Sequence, residues 1–148
     1  MNWFKGSKYL GYVLAIPVTG LVAYAAWGGI QQTRPVESTV ILPQSNETVE
    51  QVSNVSCEVR VGWPIVMVRD DDKNSPWWIQ RRCELASART FITKANFGND
   101  KTPVGTKFCV AILTAPSQEA AAKFEPGQTI QDLPIDLPVS QIVEVTRK

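Results

Sequence analysis

The stretch from Trp77 to Leu113, WWIQRRCELASARTFITKANFGNDKTPVGTKFCVAIL, constrains this chain most. Phe91, Thr93, Ala95 and Phe97 fall on one side of an extended backbone, with Ile92, Lys94 and Asn96 on the other. After a loop of turn formers (Gly98, Asn99, Asp100, Pro103, Gly105), Phe108, Val110 and Ile112 share a face opposed by Lys107, Cys109 and Ala111. Period-two alternation around a Gly/Asn/Asp/Pro loop is a β signature. It predicts that Phe91, Phe97, Phe108 and Val110 are buried together with Val55 and Val59.

The flanking sequence adds strands. Ser38–Leu42 reads as a first strand stopped by Pro43, and 44–50 as a polar turn. Residues 52–61 alternate cleanly, with Val55, Cys57, Val59 and Val61 opposite Asn54, Ser56, Glu58 and Arg60. Residues 63–69 (WPIVMVR) are apolar on both faces, as a central strand is. Asp70, Asp71 and Asp72 match no calcium-loop spacing and are expected to form a solvated hairpin tip. Residues 117–124 predict a short helix with Ser117 as N-cap and Pro126-Gly127 just past its end. Residues 125–138 are mostly connection, and 139–147 return to alternation as a strand that closes a sheet edge.

Ahead of these strands, Tyr9 to Ile30 is a run of 22 residues without a charge. At 1.5 Å per residue a helix of that length covers about 30 Å, the thickness of a hydrocarbon core. Aromatic residues flank it, and Lys5 and Lys8 precede it, so the expected topology is a cytoplasmic N-terminus with everything beyond residue 30 periplasmic or extracellular. Ala23-Tyr24-Ala25 fits a small-x-small cleavage site; the expectation is a retained signal anchor, with cleavage as the alternative. Within the span Gly11, Ala15, Thr19 and Ala23 recur every four residues as a small-residue seam of the kind that lets helices approach in lipid. The expected organisation is a cytoplasmic N-terminus and anchor over 1–30, a polar stalk over 31–37 and one extracytoplasmic β domain over 38–148.

Outside the N-terminal segment the chain carries 13 bases against 14 acids, which gives no electrostatic footprint for nucleic acid. It contains no histidine, which removes Ser-His-Asp and Cys-His catalysis and histidine ligation of haem. No cofactor and no metal is expected, and the chain reads as a non-enzyme.

The order of these segments carries a resemblance. An extended first strand ends near Pro43, and a Val/Ile-rich central strand is followed by Trp77-Trp78-Ile79-Gln80. An aromatic-led strand then ends in Phe97-Gly98, and Gly105 comes two residues before Lys107-Phe108. This resembles a bacterial immunoglobulin-like β-sandwich module of membrane-anchored and surface proteins, over about residues 38–147. Phe91 stands where that pattern has an aromatic-strand tryptophan. The resemblance implies a structural or binding module, brings no catalytic residues, and leads to a mostly β fold. That fold is one transmembrane helix, then one immunoglobulin-like antiparallel sandwich with a short helix near the C-terminus.

Three cysteines allow one internal disulfide at most. The expectation is Cys83–Cys109, with Cys57 a buried small hydrophobe; three free thiols are the alternative. Trp63, Trp77 and Trp78 are the candidate surface-binding residues. Adjacent tryptophans in a strand point to opposite faces, so one of Trp77 and Trp78 faces outward, where it either stacks on a sugar ring or anchors a protein contact, or else covers the sandwich end. The expected function is a non-enzymatic accessory subunit that docks on or stabilises a larger membrane complex through its helix and exposed sandwich, with membrane subunits and lipid as partners. The alternative is a membrane-anchored ligand-binding module, for example for cell-wall carbohydrate. A broad flat apolar patch favours the former, a cleft with an aromatic floor and amide or carboxylate neighbours the latter.

Overall fold

The structure, a computed structural model, describes residues 37–148. The charge-free span with its seam of Gly11, Ala15, Thr19 and Ala23, and residues 31–36 of the stalk, lie outside the described residues. Among the described residues no helix is long and apolar enough to cross a membrane.

Among the described residues, ten strands and one helical turn follow in order: β1 (Ser38–Leu42), β2 (Glu47–Val49), β3 (Val52–Val59), β4 (Trp63–Asp70), β5 (Trp77–Ile79), β6 (Glu84–Leu85), β7 (Thr90–Asn96), β8 (Lys107–Ala115), α1 (Gln118–Ala121), β9 (Thr129–Ile130) and β10 (Val143–Arg147). They form two sheets. Sheet A has the order β1-β3-β7-β6 and sheet B the order β2-β10-β8-β4-β5-β9. The alternating faces of both sheets close on one core: Val55, Cys57, Val59, Phe91, Ala95 and Phe97 from sheet A meet Val66, Val68, Phe108, Val110, Ile112 and Val145 from sheet B. The six residues expected to be buried together all lie in this cluster. Phe97 and Phe108 meet edge-to-face at 5.9 Å between ring centroids, which ties the two alternating strands across the sandwich.

Sheet B is apolar on its second face as well. Ile65, Met67, Trp77, Ile79, Cys109, Ala111 and Leu113 form a separate buried cluster there. The chain between β8 and β10, residues 116–142, covers it with Ala121, Phe124, Ile130, Leu133, Leu137 and Val139. This explains why β4 and β8 are buried on both sides. The α1 turn is capped as expected, Ser117 Oγ accepting from the Ala120 amide at 3.1 Å.

Three expectations change. β10 lies inside sheet B between β8 and β2 rather than at an edge, because the residues expected to be only a turn contain β2, which pairs with it. That β2–β10 pair is parallel, so the sandwich is not wholly antiparallel. The switch from β1 in sheet A to β2 in sheet B passes through a cis Leu42–Pro43 peptide. Finally, no disulfide joins Cys83 to Cys109: all three cysteines are free and buried. Cys83 and Cys57 belong to the core between the sheets, whereas Cys109 belongs to the cluster beneath the 116–142 segment. The backbone of sheet B stands between the two sulfurs, and a disulfide needs close, converging Cβ atoms.

Candidate functional site

The period-two rule sends the two adjacent tryptophans to opposite faces of β5. Trp77 is 2% exposed and lies in the covered cluster, with the Arg69 guanidinium 4.6 Å from its ring centroid. Trp78 is 51% exposed. Its register partner is Val68, a residue of the core between the sheets, so the Trp78 ring faces the side on which sheet A lies. Sheet A has two strands fewer than sheet B, and its edge strand β6 is only two residues long. The inner face of sheet B at β5 is therefore left partly open, and a cleft of about 590 Å³ remains. That size lies within the range of roughly 300–1,000 Å³ common to small-molecule sites.

Val68 and Phe108, both of the core between the sheets, line the cleft together with Trp78. Asp70 approaches from the end of β4, and Asn99, Thr102 and Thr106 from the loop between β7 and β8. The cleft is held open by polar bonds. Gln80, buried, donates from Nε2 to the Trp78 carbonyl at 2.9 Å and accepts at Oε1 from the Asn96 amide at 2.9 Å. One amide side chain thus spans from one sheet to the other at the base of the site. The loop wall is fixed as firmly. Thr102 Oγ1 accepts from the Asn99 amide at 2.9 Å, and Asn99 Oδ1 accepts from the Lys101 amide at 2.9 Å. Behind the loop the buried Arg147 donates to the Asn99 carbonyl and, at 3.1 Å, to Gln51 Oε1. Gly98 has φ 83°, and a Cβ there would land on the Thr102 side chain, so the start of this wall requires glycine.

Of the three candidate tryptophans the structure presents one. Trp63 is partly buried, packs edge-to-face on Phe91 at 5.0 Å and borders a smaller recess of about 210 Å³, and Trp77 is core; of the three, Trp78 alone is exposed. Gln80, Asn99 and Thr102 were not foreseen as site residues. The one local signal was the polar Gln80 following Trp-Trp-Ile, and no periodicity marks the loop contacts, which join residues 48 and 96 positions apart.

The aspartate run is a hairpin tip, as expected. Asp70 Oδ1 accepts from the Asp72 amide at 3.1 Å and Asp72 Oδ1 from the Asn74 amide at 2.9 Å. Asp71 lies beside Cys109 and Glu144, with one ligand atom of each within 4.8 Å of the others. Arg69 lies beside Cys109 as well and supplies positive charge where a cation would sit. The cysteines are poor nucleophiles. Burial pushes the Cys57 thiol up to about 12, with nearby Cys83 adding to the effect. Burial also pushes Cys83 up to about 12, against a hydrogen bond to the Val66 backbone. Cys109 is raised by burial too, although Arg69 opposes the shift. A thiol, not a thiolate, is what each presents at neutral pH.

Comparison with protein-family models and with curated proteins returned no match for this chain.

Proposed function

We propose that this chain is a non-enzymatic ligand-binding module whose Trp78 cleft takes carbohydrate, displayed outside the membrane on an immunoglobulin-like sandwich. The observation that carries the reading is the contrast within β5: Trp77 is core, while Trp78 stands half exposed in a pre-formed cleft among amides, hydroxyls and a carboxylate. An aromatic platform gives the apolar face of a pyranose its stacking surface, and Asn99 Nδ2 and the second oxygen of Asp70 offer a donor and an acceptor to its hydroxyls, while the Thr102 and Thr106 hydroxyls are engaged within the loop by the Asn99 amide and the Pro103 carbonyl.

The fold part of the proposal is supported by strand order. β1-β3-β7-β6 corresponds to strands A-B-E-D, and β2-β10-β8-β4-β5 to A′-G-F-C-C′, the order of variable-type domains. The departures are β9, which extends sheet B beside β5 but follows β8 in the chain, the free Cys57 on the B-like strand, and Val66 and Val68 in place of a buried tryptophan on the C-like strand. The non-enzymatic part rests on a sequence without histidine and on thiols held protonated by burial.

The test is titration of the full-length chain with a panel of neutral and acidic oligosaccharides, read by tryptophan fluorescence and calorimetry. Saturable binding that Trp78→Ala abolishes, with cooperative unfolding retained and stability lowered by less than about 1.5 kcal/mol, is the expected result. Binding that survives Trp78→Ala refutes the site.

The accessory-subunit reading keeps one specific support, the seam of Gly11, Ala15, Thr19 and Ala23 in the sequence. Its second surface finds less. The broad outer face of sheet B is covered by residues 116–142, and the outer face of sheet A mixes Val52 and Ile92 with Asn54, Glu58, Lys94 and Asn96.

A further inference from the structure

The segment Gln80–Cys83, between β5 and β6, is pinned by two buried polar side chains. Gln80 holds the Trp78 carbonyl and the Asn96 amide, and the Thr93 hydroxyl donates toward the carbonyls of Arg81 at 3.0 Å and Arg82 at 3.2 Å. The main chain is fixed, yet both arginine side chains are left exposed. Among the described residues the ion pair within 4.0 Å is Lys148–Glu50; Arg81, Arg82 and the exposed Lys94 make none.

Arg81 borders two recesses at once. On one side it lines the Trp78 cleft. On the other it lines a groove of about 390 Å³ with Arg82, Lys94, Asn54 and Glu84. Three cations thus face one carboxylate in that groove, and Asp70 is the acid on the cleft side. This local excess stands out in a domain whose residues 37–148 carry 12 bases against 14 acids.

We infer that the ligand is an acidic glycan, a chain of carboxylate-bearing sugars. One ring stacks on Trp78, and carboxylates of neighbouring rings lie on Arg81, Arg82 and Lys94. The inference rests on the carbohydrate reading of the cleft and adds the second subsite and its charge. The arginine fork suits a carboxylate, and its fixed backbone lowers the ordering cost of binding. A nucleic acid is disfavoured because such surfaces combine an extended basic tract with several stacking rings, whereas here one exposed tryptophan accompanies three cations.

Galacturonate and glucuronate oligosaccharides, each as free acid and as methyl ester, separate the two levels of the proposal when titrated against the full-length chain. The acid form of at least one is expected to bind about tenfold or more tighter than its ester at low salt. Arg82→Gln with Lys94→Gln, both in the groove and outside the Trp78 cleft, should bring the acid toward the affinity of the ester and leave the ester unchanged. Trp78→Ala should weaken both. Equal affinity of acid and ester, with Trp78 still required, overturns the acidic inference and leaves the carbohydrate reading standing. Absence of binding by every form overturns both. Poly-glutamate or single-stranded DNA of matched charge binding as tightly as the acid, without need of Trp78, would make Arg81, Arg82 and Lys94 a general polyanion surface and overturn the glycan assignment.

Discussion

Trp77 and Trp78 are chemically identical neighbours with opposite work, and truncation separates them. Trp77→Ala empties a site under the 116–142 segment and removes the ring beneath Arg69, so unfolding free energy should fall by about 3–5 kcal/mol. Trp78→Ala removes a side chain that is already 51% exposed, so its stability cost should stay below about 1.5 kcal/mol while ligand affinity collapses. Denaturant titration checks both; equal costs would mean that Trp78 is structural. The buried thiols give a second residue-level prediction. Folding raises Cys57 and Cys83 from 9.0 to about 12, so the folded state holds their protons more tightly than the unfolded chain does. The stability they lend is therefore fully present below pH 9 and is lost as pH rises from about 9 toward 12. Each thiol contributes a slope of up to about 1.4 kcal/mol per pH unit in that window. Comparing the chain with Cys57→Ala and Cys83→Ala between pH 8.5 and 11 should show shallower losses in the variants; parallel curves would mean that the thiols ionise freely in the fold.

At the scale of elements, residues 116–142 turn one face of a sheet into a second core. Their anchor near β8 is Ser140, whose buried hydroxyl accepts from the Ile112 amide at 2.8 Å and donates to the Gln141 carbonyl at 3.0 Å. Ser140→Ala leaves the Ile112 amide without its partner and should cost about 1–3 kcal/mol, because a buried donor is stranded. Hydrogen exchange at Ile112 should quicken relative to Val110; uniform exchange along β8 would show that another group takes over. Such packing was only partly legible in the sequence. The long strands were: β1 keeps its expected limits, β7 and β8 keep their faces, and the dense apolar run of β4 correctly announced burial on both sides. What escaped were β2, β6 and β9, too short to establish a period, and the covering role of a proline-rich stretch whose apolar residues follow no repeat. The disulfide expectation failed for a related reason. Alternation correctly placed Cys109 opposite Phe108, but pattern alone did not show that the opposite face was itself a sealed core. Trp78 was legible as one of an opposed pair. Its cleft was not, since the walls are set by Gln80, Arg147 and Asn99 across distances that no local pattern encodes.

At the scale of the whole molecule, the question is which part recognises a protein partner, if one holds this chain in place. The described domain commits its broad apolar face to its own 116–142 segment, and sheet A turns a mixed polar surface outward. In lipid, by contrast, small side chains let helix backbones approach and dispersion contacts accumulate where water supplies no hydrophobic drive. In the proposed reading, association with other membrane subunits falls to the sequence seam of Gly11, Ala15, Thr19 and Ala23, and ligand binding to the Trp78 cleft. The two are separable by mutation. Replacing Ala15 and Thr19 with leucine should lower co-purification after gentle detergent extraction severalfold, yet leave the denaturation midpoint and oligosaccharide titration of the domain over 38–148 unchanged. Trp78→Ala should abolish the oligosaccharide titration and leave co-purification unchanged. A double-leucine variant that stays fully associated, together with loss of association on deleting residues 38–148, would reduce the span to a tether and move partner recognition onto the sandwich.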